Sequence, residues 1–90
     1  MTRYIATYDV SDDLQRGRIA NVLQDYGYRI QYSVFEMNLQ ESELIEVQRR
    51  LGMLLSKEDR LELIPIDMDH RRKRLRWMGS ELDQPVIVVK

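Results

Sequence analysis

Residues 3–13 read RYIATYDVSDD, and this stretch sets the start of the fold. Its first six residues are rich in β-formers and Asp9 ends the run, so we predict a buried first strand over them. Ser11 is a good helix N-cap, and Asp12 and Asp13 place negative charge in the first turn of a helix. The stretch therefore predicts a strand that passes directly into a helix.

Hydrophobic spacing defines the next elements. Apolar residues recur after the acidic pair at helical spacing, at Ile19, Val22, Leu23 and Tyr26. Gly27 is a natural helix stop, so we predict that the first helix ends there. The segment 29–39 (RIQYSVFEMNL) is β-rich and too long for one simple strand. It predicts two short strands, or one bent strand, with a break at residues 31–33.

The second half of the chain predicts one helix and two strands. A second helix is expected over residues 41–55. Its apolar stripe consists of Leu44, Val47, Leu51 and Leu54. Residues 60–67 are typical of a strand, in which Pro65 indicates an edge position or a bulge. Residues 68–80 have no clear pattern, and residues 85–90 (PVIVVK) predict a short, very apolar last strand.

The predicted element order is that of an α+β protein. Strand, helix, strand, strand, helix and strand form the ferredoxin-like split βαβ sandwich, in which both helices cover one face of an antiparallel sheet. We assign residues 1–80 to this domain and residues 81–90 to an extra C-terminal strand. An exposed strand of Val and Ile is prone to aggregate, and pairing with another subunit's sheet edge removes that hazard. The surplus strand therefore predicts a homodimer.

Composition narrows the class of protein. The chain has 90 residues, 43% of them hydrophobic and 32% charged, which is typical of one soluble globular domain. It has no cysteine, which excludes disulfides and thiolate metal sites. The N-terminus resembles neither a signal peptide nor a membrane span, so we expect a cytoplasmic protein with no membrane partner. Because the formal net charge is −1, an argument for nucleic acid must rest on local charge.

Asp9 is the first candidate for chemistry. It lies where the first strand ends, and in α/β folds ligand sites gather at the carboxyl ends of strands. Mg²⁺ prefers oxygen ligands, and a two-fold dimer can bring two copies of Asp9 together. The alternative is that Asp9 only shapes the turn, as Asx residues often do. Spacing alone leaves both interpretations open.

Basic residues form two groups. Arg16 and Arg18 flank the apolar stripe of the first helix, and Arg29 begins the next strand. These three either contact phosphates near Asp9 or pair with neighbouring acids as solvated charges. The second group is the strongest electropositive feature and consists of Arg71, Arg72, Lys73, Arg74 and Arg76. It either binds phosphate backbones without reading sequence or is a solvated face.

Two further residues limit the chemistry. Trp77, beside the basic run, either stacks on a base or packs against other side chains. His70 is the only histidine, so a His-based triad or zinc cluster is excluded and we expect it at the surface. The sequence has no P-loop, GxGxxG turn or nucleophile elbow.

Two blocks carry a family resemblance, residues 8–13 (YDVSDD) and residues 29–36 (RIQYSVFE). With their spacing, and with residues 41–44 (ESEL) opening the second helix, they resemble the second protein of the CRISPR adaptation module. This is a family of CRISPR-associated endoribonucleases and endonucleases. The resemblance covers residues 3–67, and the basic run lies outside it.

The resemblance implies a ferredoxin-like homodimer whose last strand crosses to the partner. It implies that two copies of Asp9 face each other and hold a divalent cation such as Mg²⁺, with Asp9 as catalytic residue and metal ligand. Family members act in antiviral defence as metal-dependent nucleases on RNA or DNA. They also bind the spacer duplex between dimers of the CRISPR integrase during spacer acquisition.

The resemblance also assigns roles to single residues. The family positions tied to activity match Tyr8, Asp9, Arg16, Arg18, Arg29 and Phe35. The arginines are implied as phosphate contacts or supports of the site, and Tyr8 and Phe35 as residues that shape it.

Three functions compete at this stage. A nuclease would direct metal-assisted attack of water on a phosphodiester. Because each chain has one convincing carboxylate and no visible general base, we favour a scaffold of the spacer integration complex in which nuclease activity is dispensable. The alternative is a ferredoxin-like regulatory or toxin-like domain unrelated to CRISPR, since this fold hosts many functions.

Overall fold

The computed structural model describes residues 1–66, 75–79 and 81–82. Its elements in chain order are β1 (Thr2–Asp9), α1 (Asp13–Gln24), β2 (Gly27–Gln31), β3 (Val34–Leu39), α2 (Glu41–Gly52), β4 (Arg60–Pro65), β5 (Leu75–Met78) and β6 (Glu81–Leu82). The strands form one antiparallel sheet in the order β2-β3-β1-β4-β5-β6. The order β2-β3-β1-β4 with two helices is the ferredoxin-like arrangement, so the predicted α+β fold class is confirmed.

Both helices cover the same face of the sheet. α1 contacts β2, β3 and α2, and α2 contacts β3. In β1 the side chains of Tyr4, Ala6 and Tyr8 are buried, whereas the residues between them point to the other face. Their buried cross-strand partners on β3 and β4 include Phe35, Met37, Leu61 and Leu63. The core therefore lies on this side, here called the helix face, and the opposite side is called the open face.

α1 begins one residue later than predicted. Asp12 is the N-cap, because its Oδ2 accepts a hydrogen bond from the Gln15 backbone nitrogen at 2.9 Å. Ser11 is therefore not the cap, and that prediction was wrong because two adjacent residues both carry a suitable side-chain oxygen. Asp13 is the first helical residue and places negative charge in the first turn, as predicted.

α1 ends at Gln24, before the stop predicted at Gly27. Gly27 instead begins β2, where a Cβ atom would lie 2.0 Å from the Glu36 carbonyl oxygen. Glycine is needed here because β2 and β3 approach too closely for any side chain. A turn at residues 32–33 separates these strands, so the alternative of two strands with a break at 31–33 is confirmed.

α2 and β4 are shorter than predicted. Both helices have 12 residues. Neither is long and apolar enough to span a membrane, and the described part of the chain has no other helix. Leu54 and Leu55 follow α2 but still pack on the core. Pro65 ends β4 opposite Tyr4, beyond the last β4–β5 pair at Leu63. No described strand therefore requires the N–H that Pro65 lacks.

A hairpin of β5 and β6 extends the sheet and was not predicted. Trp77 pairs with Leu61 and is 2% exposed, so it packs in the core and is not free to stack on a base. Gly79 follows β5 with φ +71°, a conformation that favours glycine. β6 pairs with β5 of the same chain. The strand predicted over residues 85–90 lies outside the described residues, so its pairing with a partner stays a prediction.

Candidate nucleic-acid interface

The end of β1 sends consecutive side chains to opposite faces of the sheet. Tyr8 lies on the helix face and is 6% exposed, whereas Asp9 is exposed on the open face. Tyr8 pairs with Leu61 and Asp9 pairs with Arg60, so the same alternation continues into β4. Two candidate residues that are neighbours in the chain therefore have different surroundings.

Asp9 lies in a shallow hollow of about 250 Å³ on β1 and β4. The residues that line it are Thr7, Tyr8, Asp9, Arg60, Leu61 and Glu62. Among residues 1–66, 75 and 77–79, no group forms a hydrogen bond or ion pair with the Asp9 carboxylate. An Asx turn depends on such a bond, so the interpretation of Asp9 as a turn-shaping residue finds no support there.

A complete cation site is absent from the described part of a single chain, where no group of three or more His, Cys, Asp or Glu side chains converges. Magnesium usually binds one or two carboxylates together with waters and substrate phosphates. Asp9 fits this chemistry as one free, exposed oxygen donor. The remaining ligands must come from outside the described residues, for example from water, a phosphate or a second copy of the chain.

The helix face of β1 carries a second feature, the arginine pocket, a cavity of about 170 Å³ between α1 and β2. The residues that line it are Tyr8, Asp13, Arg16, Gly17, Ala20, Arg29 and Tyr32. Three residues proposed from the sequence, Tyr8, Arg16 and Arg29, therefore meet at one place. Phe35, a fourth, contacts two of them from inside the core.

Arg16 is held in the arginine pocket by groups at the start of α1. Its Nη1 donates to the carbonyl oxygen of Val10 at 2.8 Å and to that of Ser11 at 3.3 Å. Its Nη2 forms an ion pair with Asp13, and this hydrogen bond raises the pKa of the Arg16 guanidinium. The Arg16 Cζ lies 5.7 Å from the centroid of the Tyr32 ring. The predicted pairing with a neighbouring acid thus occurs, and it positions Arg16 beside the pocket.

Phe35 organises the other wall. The Arg29 Cζ lies 5.1 Å from the centroid of the Phe35 ring, and the Tyr8 ring stacks on Phe35 at a centroid separation of 6.3 Å. Arg29 is opposite Phe35 in the β2–β3 register, which explains the contact. The Tyr8 hydroxyl is buried and has no hydrogen-bond partner in the described ranges.

The other predicted residues lie elsewhere. Arg18 is on the far flank of α1, where its Nη1 donates to the Gln15 Oε1 at 3.3 Å, and it does not line the arginine pocket. Arg76 lies in β5, and residues 71–74 fall outside the described residues, so the role of the basic run stays a prediction. The sequence reasoning missed Tyr32 and Arg60, both of which become visible only from strand register and turn position.

The open face carries apolar side chains that no described helix covers. Ile5 and Ile64 lie opposite each other on β1 and β4. Around them, Tyr28 is 59% exposed, Ile66 44% and Met78 43%. We call these five residues the open-face patch. The ion pair of Arg3 with Glu36, with an Nε to Oε2 distance of 3.1 Å, lies on the same face, where Glu36 stands between Tyr28 and Ile5.

Comparison with known proteins identifies relatives for most of the chain. The sequence profile of the family described as CRISPR associated protein Cas2 matches residues 1–74. A Synechocystis protein named CRISPR-associated endoribonuclease Cas2 3 is 43% identical over 67 residues, which is 73% of each chain. A Rhodospirillum rubrum protein named CRISPR-associated endoribonuclease Cas2 4 is 37% identical over 89 residues, covering 96% of this chain and 69% of the relative.

The fold is shared with solved structures. The crystal structure of Streptococcus pyogenes Cas2 superposes with a TM-score of 0.68 at 25% identity, covering 79% of this chain and 93% of that one.

Proposed function

Because the chain belongs to the Cas2 family of CRISPR-associated proteins, we propose that it acts in CRISPR adaptation as a homodimeric nucleic-acid-binding scaffold with metal-dependent endonuclease activity. The family match covers residues 1–74 and favours this role over a regulatory or toxin-like domain unrelated to CRISPR. The observation that carries the proposal is the free Asp9 carboxylate at the end of a central strand, beside the uncovered open-face patch.

The open-face patch supports a homodimer. Apolar patches flanked by charge commonly mark protein interfaces, and two sheets can pack face to face through such side chains. A two-fold axis over this face would bring the patch of one chain against the same patch of the other. Asp9 shares this face, so the same axis can bring two Asp9 carboxylates near each other.

Two such carboxylates would hold a divalent cation such as Mg²⁺. Two carboxylates with waters and a substrate phosphate supply the oxygen ligands that Mg²⁺ takes, whereas the described part of one chain supplies too few. Bound there, the cation would polarise a phosphodiester oxygen and lower the pKa of a water that attacks phosphorus. Asp9 would hold the cation, and Arg60, its cross-strand neighbour, would supply positive charge beside the scissile phosphate.

The scaffold role rests on the arginines. Lys and Arg contacts to phosphate dominate affinity for nucleic acid, and they position a duplex without reading its sequence. In this proposal Arg16, Arg29 and the basic run hold duplex DNA or RNA, and the CRISPR integrase binds the same complex. Because each chain supplies a single carboxylate, cleavage is more easily lost than the scaffold activity. We therefore propose spacer integration as the main role and cleavage as the secondary one.

A spacer-integration assay with purified integrase separates the two roles at Asp9. Asp9→Asn is nearly isosteric, so the dimer and integration are expected to persist, while Mg²⁺-dependent cleavage is lost with its anionic ligand. Asp12→Asn is the matched control, because Asn caps a helix as well as Asp does and the site is untouched. Loss of integration in Asp9→Asn with the dimer intact would show that the metal site is essential to the scaffold. Full cleavage by Asp9→Asn would exclude Asp9 as the ligand.

A further inference from the structure

Asp9 and Arg60 lie side by side on the open face. They stand directly opposite each other in the antiparallel register of β1 and β4, and both are exposed and line the same hollow of about 250 Å³. The Cβ atoms of residues that are directly opposite in such a pair lie about 4.5–5.5 Å apart. The long Arg60 side chain can therefore reach the Asp9 carboxylate, or a ligand bound to it, by rotating about its own bonds.

Neither side chain is held by another partner. Among the side chains that the structure describes, none forms a hydrogen bond or an ion pair with the Asp9 carboxylate or with the Arg60 guanidinium. Glu62 is the third charged residue of the hollow and stands opposite Arg76 of β5, so the formal charges of that row cancel. The charge at the end of β1 is therefore set by Asp9 and Arg60.

Arg60 changes what the proposed homodimer offers to a cation. Two Asp9 carboxylates would repel each other and would attract a divalent cation without any other ligand. Two Arg60 guanidiniums cancel both negative charges, so a divalent cation bound there would leave two positive charges uncompensated. A phosphodiester carries one negative charge and reduces this excess. The cation is therefore expected to bind weakly to the free protein and more tightly beside a phosphodiester.

We propose that Arg60 is the counter-ion of Asp9 in the metal-free homodimer and turns to a phosphodiester when nucleic acid binds, so that a divalent cation binds tightly only together with the substrate. The proposal rests on the homodimer and the Asp9 cation site proposed above, and it adds a mode of regulation to that site. The coupling is reciprocal, so the cation strengthens binding of the phosphodiester by the same factor as the phosphodiester strengthens binding of the cation.

A titration with Mn²⁺, followed by electron paramagnetic resonance, tests this coupling without any cleavage step. Dimethyl phosphate serves as the substrate probe, because it is a phosphodiester that has no base or sugar. Arg60→Gln removes the charge and keeps a polar side chain. Arg49→Gln is the matched control, because Arg49 is an exposed arginine of α2, on the helix face, where it pairs with Glu46. Arg60→Lys keeps the charge and tests for rescue.

The removal of Arg60 is expected to strengthen cation binding in the free protein. Arg60→Gln should bind Mn²⁺ about tenfold more tightly than the wild type without dimethyl phosphate, because one exposed pair of unit charges changes an equilibrium constant up to about fivefold and several such pairs act here. Dimethyl phosphate should tighten Mn²⁺ binding to the wild type, Arg49→Gln and Arg60→Lys, but not to Arg60→Gln. In EDTA, light scattering should show a weaker dimer for Arg60→Gln, since its Asp9 carboxylates repel each other without a counter-ion.

Two results would overturn the proposal. The first is an Mn²⁺ affinity of Arg60→Gln equal to that of Arg49→Gln, and the second is an effect of dimethyl phosphate that survives in Arg60→Gln. Asp9→Asn separates these results from failure of the proposed function. If Asp9→Asn loses Mn²⁺ binding while Arg60→Gln binds as the wild type does, the cation site stands and the role of Arg60 is lost. If Asp9→Asn binds Mn²⁺ as the wild type does, both the cation site and the role of Arg60 are lost.

Discussion

Replacing Tyr8 with Phe is expected to stabilise the free protein. The substitution removes one oxygen and leaves the ring that stacks on Phe35 at 6.3 Å. That oxygen is buried without a partner, so folding removes it from water and gives no hydrogen bond in return. Most deletions of a buried polar atom cost stability, and this one has the opposite expected sign.

The magnitude follows from the cost of an unsatisfied buried group. Leaving a donor or acceptor unpaired costs about 1–3 kcal/mol, and Phe avoids that cost while keeping the packing. For a domain of this size, 1 kcal/mol shifts Tm by about 4–8 °C. We therefore expect Tyr8→Phe to melt at least about 4 °C above the wild type when no nucleic acid is present.

Tyr26→Phe is the matched control. The Tyr26 hydroxyl accepts a hydrogen bond from the Nη1 of Arg50 at 3.3 Å, and the Arg50 guanidinium lies over the Tyr26 ring. Removing this oxygen deletes a made bond, so Tyr26→Phe is expected to lose about 0.5–1.5 kcal/mol. Both variants should be melted in EDTA at one protein concentration, because the proposed dimer would make Tm depend on concentration.

The direction of the Tm change in each variant tests whether the Tyr8 hydroxyl lacks a hydrogen-bond partner. If Tyr8→Phe melts below the wild type, as Tyr26→Phe is expected to, the Tyr8 hydroxyl has a partner in the free protein. If Tyr8→Phe is more stable than the wild type, the hydroxyl has no partner in the free protein and its burial costs stability.

Three other predictions concern the sheet and the basic run. Gly27→Ala is expected to lower the free energy of unfolding by about 3 kcal/mol in urea denaturation, because the alanine Cβ would lie 2.0 Å from the Glu36 carbonyl oxygen. Unchanged stability would contradict that close approach. Ile64→Lys is expected to give monomers by light scattering, whereas Ile45→Lys, at a helix position that is 62% exposed, is expected to stay dimeric. A dimeric Ile64→Lys would show that the open face is not the dimer interface. Reversing Arg72 and Arg74 to Glu is expected to weaken binding to all duplex sequences alike and to reduce the salt slope by about 2 for each subunit that contacts the duplex. Unchanged affinity would identify a solvated face.

Much of the fold was readable from the sequence because its local signals are clear. The β-forming residues of β1 and the helical spacing of apolar residues in α1 and α2 placed these elements, and Gln31 to Ser33 marked the break between β2 and β3. Element ends were less accurate, because local signals compete. Ser11 and Asp12 are both suitable caps, and Gly27 suggested a helix stop although a close strand contact is what requires it.

The sequence predicted which residues form the candidate site but not how they are arranged in space. The resemblance brought Tyr8, Arg16, Arg29 and Phe35 together. The structure places the first three around one cavity, and Phe35 contacts Tyr8 and Arg29 from the core. Which flank of α1 meets β2 depends on tertiary packing, so Arg16 and Arg18 looked equivalent in the sequence. Strand alternation alone places the side chains of Tyr8 and Asp9 on opposite faces of the sheet. Which of the two is buried depends on which face the helices cover.

The alternation at the end of β1 also fixes how many residues this strand can hold. Inserting or deleting one residue within β1 would turn every following side chain to the other face. Asp9 would then enter the core and the Tyr8 ring would enter solvent, so both surfaces would fail at once. The chain can change length at its loops without this penalty. The Asp9 carboxylate needs solvent and the Tyr8 ring needs burial. Together these two requirements fix the number of residues in β1.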